Sequence, residues 1–389
     1  MKTVLADKFH TICGRFVSRG NMQFPEFSKN HLTAFVNNFS GRLLNRSPLD
    51  RCGFELWHHY FPAKNKNTGE IVYFFVDFIL LNIPRDDETS LFGSKKAGVV
   101  YVGKMDGELQ FSGEAFTNND VSYSKRTLSI RFGVNVCLED SLIGNIIQDG
   151  QHHLGRLGVG HWGSISFELK ISPVFTRQQI FPSFLPYALG GYQTYWNMPD
   201  LISQYDGHVV MNEEEFVVKA NECGYGFRDK TWGSRFSDSH IKIYGGCMRS
   251  TTQELSPEKS TFVMLCHAPV LWDYTLGKKY YLVLLLNGTV YEFSHTIYAK
   301  QDTHSEEIKD GIFIFSFAEW NLKHKIEVEI RVSVDKMHPL SYPSPQNLMQ
   351  KLLLACPINV HIKLFSSRVL INWDLIDEIT IEGAVLEQK

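Results

Sequence analysis

"AGVVYVGKMDGELQFSGEAF" (97–116) sets two apolar and aromatic runs on either side of Asp106-Gly107. An Asp-Gly pair tolerates the positive φ values of a tight primed turn, so the stretch predicts two antiparallel strands joined as a hairpin. The same grammar extends in both directions. "IVYFFVDFILLNI" (71–83) precedes it, and "RTLSIRFGVNVCLE" (126–139) and "GSISFELKI" (163–171) follow, each bounded by Gly, Asn, Asp or Pro. In the second half "IKIYGGCM", "STFVMLCHA", "KYYLVLLLNGTVYEFS", "GIFIFSF" and "VHIKLFSS" recur at similar intervals. Between Lys325 and Val334, Lys, Glu, Glu and Arg alternate with Ile, Val, Ile and Val, the period of a half-exposed strand. Two stretches read as helices: "SPQNLMQKLLLA" (344–355), with Ser344 as a cap before Pro345, and residues 25–44. The expectation is a mainly β chain of sandwiches or barrels with few short helices.

Bulk composition fits a protein that buries a sizeable core. Of 389 residues, 43% are hydrophobic and 21% charged, and 13% are aromatic. Such aromatic wealth suits pleated half-buried surfaces and the enclosure of an apolar ligand. The formal net charge is −3, with no basic excess to gather phosphates, which argues against nucleic acid as a partner. The first twenty residues are interrupted by Asp7, Lys8, His10 and Arg15, unlike a secretory signal. No apolar run reaches the roughly 18 residues of a membrane helix. The seven cysteines (13, 52, 137, 223, 247, 266 and 356) form no CxxC pair and read as reduced thiols of a cytoplasmic protein.

"PSFLPYALGGYQTYWNMPD" (182–200) carries three prolines and a Gly-Gly pair, poor material for regular ladders. It predicts a division into two β-domains, residues 1–195 and 196–389.

Three stretches carry polar side chains suited to chemistry. In "CGFELWHHYF" (52–61), a strand would point Glu55, Trp57 and His59 to one face and Leu56, His58 and Tyr60 to the other. A carboxylate, an indole and an imidazole on one wall can hold a polar head or move a proton, but taken alone the stretch is more simply a capped strand edge with exposed histidines. "QDGQHHLGRLGVGHWGS" (148–164) holds His152, His153 and His161, but the spacing matches no HExxH or facial-triad arrangement, so no metal is expected. "GYGFRDKTWGSRF" (224–236) surrounds Trp232 and Gly233 with Arg228, Asp229, Lys230 and Arg235. Two readings of it stand side by side. A buried Asp229 beside a cavity is a proton donor, because burial raises a carboxyl pKa toward neutrality; alternatively an Arg-Asp pair ties one domain to the other. Dinucleotide fingerprints, P-loops and GxSxG elbows do not occur, which argues against redox cofactors and phosphoryl transfer and leaves no cofactor expected.

Taken together, two of these stretches resemble a known group. "FELWHHYF" (54–61) is similar to the Glu-x-Trp-Tyr type motif of tocopherol cyclases and of the hydroxyneurosporene synthase (carotenoid hydratase) group. "YDGHVVMNEEEFVVKANECGYGFRDKTWGSRF" (205–236) resembles the tocopherol cyclase segment in which a Gly-rich hairpin precedes a GYxxKxWG-like motif. The hydratases carry a related Asp-His-x-Trp-Gly pattern, from which Lys230 departs. His58 and His59 depart likewise, standing where the group prefers Tyr or Phe. The resemblance implies two lipocalin-like or β-sandwich domains packed side by side, an architecture shared with fungal Diels–Alderases. It implies a cofactor-independent cyclase, hydratase, isomerase or pericyclase acting on a prenylated, polyene or polyketide-like molecule. Asp229 would be the leading proton donor with Arg228 as its orienter, and Glu55 and His59 the alternatives. Trp57, His58, Tyr60, Tyr225, Trp232 and Trp196 would line the substrate. A non-catalytic carrier or sensor of a hydrophobic molecule would use the same aromatic residues as a pocket wall.

Overall fold

The computed structural model describes residues 53–82, 96–117, 120–123, 128–146, 163–176, 180–181, 194–233, 240–246, 260–267, 270–271, 274–275, 279–294, 303–320, 323–344, 349–369 and 372–389. The first sheet opens with β1 (Gly53–Asn65), β2 (Ile71–Asn82), β3 (Lys96–Met105) and β4 (Leu109–Thr117). Short strands follow: β5 (Val121–Tyr123), β6 (Ser129–Phe132), β7 (Asn135–Leu138) and β8 (Ser141–Ile146). It closes with β9 (Ile165–Thr176), β10 (Ile180–Phe181), β11 (Thr194–Met211), β12 (Glu214–Lys219) and β13 (Gly226–Gly233). The Asp106-Gly107 hairpin forms between β3 and β4, with Gly107 at φ 100°.

Hydrogen bonding orders the strands β4-β3-β2-β1-β12-β11-β9-β8-β7-β6-β5, and β13 also lies between β1 and β11. Strands β12 and β13 therefore share one lane, interrupted by a single helical turn, α1 (Ala220–Cys223). β12 meets the far end of β1 at Lys64 and Asn65, and β13 meets its beginning from Phe54 to Tyr60. Gly224 leaves the turn at φ 113°, a conformation that a Cβ disfavours. "GYGFRDKTWG" is thus the second half of a central lane.

The sheet curls over its own interior until Phe132 of β6 lies against Phe116 of β4 and Phe78 of β2. A Cβ on Gly98 of β3 would collide with the Phe132 ring, so this close approach requires glycine. The enclosed core includes Trp57, Phe61, Phe74, Phe78, Phe132 and Phe167. Each fully buried large side chain of this kind contributes about 1.5–3 kcal/mol.

The second sheet takes β14 (His240–Gly245) and β15 (Ser260–His267), and a two-stranded ribbon of β16 (Val270–Leu271) and β17 (Tyr274–Thr275) lies apart from it. The sheet continues with β18 (Lys279–Leu286), β19 (Thr289–Ser294), β20 (Thr303–Lys309) and β21 (Ile312–Trp320). β22 (His324–Ser333), β23 (His338–Pro343), β24 (Met349–Val369) and β25 (Asn372–Gln388) complete it, in the order β19-β18-β15-β14-β25-β24-β22-β21-β20, with β23 also on β24. Its own core holds Ile241, Ile243, Phe313, Phe315, Phe317 and Leu386. A third apolar cluster joins the two sheets, with Phe54, Tyr60, Phe75 and Tyr101 from the first against Tyr244, Leu340, Tyr342 and Val385 from the second. The fold is mainly β, built of antiparallel strands that are mostly sequence neighbours and that curl around apolar interiors.

One expected helix is overturned. Residues 349–355 of the 344–355 stretch belong to β24, where Leu352 pairs with Leu340 and Leu353 with Gln388. Partners on both sides, and burial of Leu354 in the junction, outweigh the helical propensity of a Leu-rich run. The other helical expectation, residues 25–44, lies outside the described residues. The change from one sheet to the other falls between Gly233 and His240, beyond the Pro/Gly-rich run, whose residues 194–200 begin β11.

Candidate functional site

Strands β1 and β13 run side by side, pairing His58 with Asp229, His59 with Arg228 and Trp57 with Lys230. Because successive side chains alternate faces, the two strands present two different polar sets back to back. His58, Tyr60, Phe227 and Asp229 face the junction between the sheets. Glu55, Trp57, His59, Arg228 and Lys230 face the interior of the first sheet.

On the junction face a continuous hydrogen-bonded network forms. His58 Nδ1 lies 2.5 Å from Asp77 Oδ1, and the Tyr342 hydroxyl donates to Asp77 Oδ2 at 2.5 Å. His58 Nε2 lies 2.7 Å from the Tyr244 hydroxyl, which donates to Glu387 Oε1 at 3.2 Å. Lys242 Nζ sits 2.7 Å from Asp229 Oδ2 and 3.8 Å from Glu387 Oε1. Every member is buried. Burial disfavours the His58 imidazolium, but the charge and hydrogen bond of Asp77, with Glu387, outweigh both burial and Lys242 and raise its pKa above the ordinary value. Burial also disfavours the Lys242 ammonium, yet Asp229 and Glu387 hold its pKa above the usual range. The phenols Tyr244 and Tyr342 are pushed far up, first by burial and then by the nearby carboxylates. A protonated His58 donates at both ring nitrogens, so each hydrogen bond from Asp77 to Glu387 has one donor and one acceptor. Tyr60, Phe75 and Phe227 surround this network, with Phe227 stacked on Tyr244 at 5.2 Å and Tyr60 edge-on to it at 4.9 Å.

The interior face carries three separate pairs. Lys230 Nζ lies 2.8 Å from Glu55 Oε1, which also accepts from Trp57 Nε1 at 2.7 Å. Burial raises the Glu55 pKa against the pull of Lys230, and burial lowers that of Lys230 against the pull of Glu55. Arg228 pairs with Asp200 and donates from Nη1 to the Glu139 carbonyl at 2.7 Å. His59 Nδ1 meets the Tyr205 hydroxyl at 3.0 Å, and Nε2 lies 3.6 Å from Cys137 Sγ. Burial and then Arg228 push His59 well below its ordinary pKa, so it is a neutral ring donating from Nδ1, since the Tyr205 hydroxyl already donates to the Phe227 carbonyl. The Cys137 thiol is pushed up to about 12 by burial and is no nucleophile.

The expected site residues are therefore divided rather than gathered. Asp229, His58 and Tyr60 share the junction, whereas Glu55, His59, Arg228 and Trp57 lie behind the strands. Arg228 does not orient Asp229; its partner is Asp200, and Lys242 holds Asp229. Adjacent residues of a strand diverge, so no Arg-Asp pair forms between them. Tyr225 is half-buried against the junction core. Trp196 and Trp232 occupy β11 and β13, and their side chains lie outside the described part of the structure, as do His152, His153 and His161 entirely. Among the described residues no three His, Cys, Asp or Glu side chains converge as a metal site.

The network's remaining members carry uneven sequence signals. Asp77 is the lone charge within "IVYFFVDFILLNI", a visible anomaly in an apolar strand. Lys242, Tyr244, Tyr342 and Glu387 sit in ordinary alternating strands, and only the packing of the second sheet brings them to β1, β2 and β13. A separate trough of about 590 Å3 on the second sheet is lined by Ser305, Ser316, Glu327, Glu329, His361 and Lys363. Its charges are already neutralised by neighbours, Glu329 by Arg331 and Lys363 by Glu378.

No protein-family model matches the chain, and no curated protein matches it in sequence. Three solved structures are similar over most of its length. An AttH-assigned protein of Nitrosomonas europaea aligns at 11% identity over 86% of this chain and 92% of its own, with a TM-score of 0.47. Kievitone hydratase from Nectria haematococca aligns at 9% identity over 86% and 88%, TM-score 0.47. CghA with Sch210972 aligns at 10% identity over 87% and 88%, TM-score 0.44. At these identities and scores the likeness establishes neither common function nor common chemistry.

Proposed function

We propose that the chain is a cofactor-independent acid–base enzyme, a cyclase, hydratase or isomerase of a hydrophobic prenylated, polyene or polyketide-like molecule, working at the junction of its two sheets. The two sheets would then be its two domains, divided between Gly233 and His240. One observation carries the reading: the unbroken buried chain Asp77–His58–Tyr244–Glu387 with Lys242 and Asp229 at its end, set in an aromatic wall. Apolar side chains of similar volume hold two sheets together at least as well as buried charges do, so stability alone does not account for such a chain. A His58 held protonated by Asp77, with its pKa above the ordinary value, is a proton donor. Its proton leaves through the Tyr244 hydroxyl, and Tyr60, Phe227 and Tyr342 offer π faces to a developing carbocation, worth about 0.5–2 kcal/mol per contact. Asp229, by holding Lys242 beside Glu387, fixes the charge at the far end of the relay.

A carrier reading is favoured by one contact only. The Lys242–Asp229 pair joins the two sheets, as a purely mechanical lock would. The readings part in deuterium oxide. Wild-type protein and His58→Gln are each incubated with geranylgeranyl hydroquinone, with a linear polyene alcohol and with lipid extracted from the purified protein. The enzyme reading expects a product with carbon-bound deuterium from wild type and at least about a hundredfold less from the variant. Bound but chemically unchanged lipid in every arm would leave the carrier.

A further inference from the structure

Behind the junction, the interior face of the first sheet holds a buried amine that the relay does not use. Lys230 is fully buried on β13, 2.8 Å from Glu55 Oε1 and 5.0 Å from the centre of the Trp57 ring. The face it lies on turns to the interior of the first sheet, whose apolar core includes Trp57, Phe78, Phe132 and Leu142. The second interior ion pair on these strands uses arginine, which cannot lose its proton in a protein and so serves only as a cation. Lysine is the residue that can deliver a nucleophilic nitrogen when desolvated. Glu55 has one oxygen engaged by Lys230 and Trp57, while Oε2 is buried without a hydrogen-bond partner among the described residues.

We propose that Lys230 is a covalent capture site for an apolar aldehyde or ketone, with Glu55 as its proton-transfer partner. The neutral amine attacks the carbonyl carbon, and the Glu55 carboxyl delivers a proton to the carbonyl oxygen. The nitrogen of the resulting carbinolamine loses a proton to the Glu55 carboxylate, the hydroxyl leaves as water on reprotonation by that carboxyl, and the iminium nitrogen returns its proton to the Glu55 carboxylate, giving the imine. One carbonyl compound and one amine give one imine and one water, with no oxidant or reductant consumed. Burial favours the uncharged forms of both partners, moving the glutamate up and the lysine down, so amine and carboxylic acid are accessible together. The site is separate from the junction relay, and its test does not depend on turnover there.

The test is reductive trapping on the folded full-length chain. Decanal or trans-cinnamaldehyde is added at equimolar amount with sodium cyanoborohydride at pH 6.5, and adducts are mapped by peptide mass spectrometry. Trapping is expected at Lys230 at a rate at least about tenfold above that at Lys66, whose side chain is 58% exposed, because a desolvated amine keeps more of its free, nucleophilic form at pH 6.5. Glu55→Gln, destabilised because it strands Lys230, should slow trapping at Lys230 where it remains folded, and Lys230→Arg, which keeps the cation, should abolish the fast adduct. Circular dichroism and urea midpoints establish that each variant is folded before it is scored. Adducts confined to exposed lysines, or a Lys230 adduct that appears only after unfolding in urea, overturn the proposal.

Discussion

Replacing Asp77 by Asn removes the carboxylate that faces His58 Nδ1 and accepts from Tyr342, while leaving the volume of the side chain almost unchanged. Both partners are buried, so their lost bonds are not replaced by water. Removing one member of a buried ion pair costs about 3–5 kcal/mol, because the charge left behind is uncompensated. The loss depends on pH in a defined direction. His58 has a raised pKa in the folded protein, so its contribution to stability is fully present below the unfolded value near 6.5 and fades as pH rises through the higher folded value. Asp77→Asn removes the principal cause of that rise. The gap in unfolding free energy between wild type and variant should thus be widest at pH 6 and narrow progressively into the alkaline range. Urea unfolding at a series of pH values, followed by tryptophan fluorescence, reads this directly. A gap below about 1 kcal/mol, or one constant from pH 6 to pH 9, would refute the assignment of His58 as the charged partner of Asp77.

Other consequences follow from single contacts. Lys242→Met strands Asp229 and should cost about 3–5 kcal/mol, whereas adding Asp229→Leu should recover most of it; a thermal double-mutant cycle that shows simple additivity contradicts the pairing. Gly226→Ala places a methyl group against the Tyr60 carbonyl and the Tyr205 ring and should lose about 1–3 kcal/mol, seen as a lowered urea midpoint. Cys137 and Cys356, buried and with raised thiol pKa values, should resist Ellman's reagent at pH 7.5 until the protein is unfolded; mapped labelling of the native state at either position would show the interior to be open.

Strand content and the alternation of β1 and β22 were legible because a period of two residues is written in the side chains themselves. Asp106-Gly107 marked its hairpin for the same local reason. The expectation failed at residues 349–355, where a Leu-rich run has no local feature that separates a helix from a strand paired on both edges. In the candidate site, Glu55, His58 and Asp229 stood out as polar groups in unusual company. Their partners did not, since Lys242 lies 13 residues from Asp229, Tyr342 265 from Asp77 and Glu387 329 from His58, and they meet β13, β2 and β1 only through packing of the second sheet. The mistaken link between Arg228 and Asp229 came from adjacency along the chain, which on a strand places two side chains on opposite faces.

The central claim is that His58 is a proton donor whose protonated form is held by Asp77. Nitrogen-15 NMR of histidine-labelled protein tests it most directly, with His58→Gln identifying the resonance. At pH 7 the account predicts that both ring nitrogens of His58 carry protons, and that Asp77→Asn converts the ring to a singly protonated neutral form. A His58 already neutral in the wild-type protein at pH 6 would contradict the account.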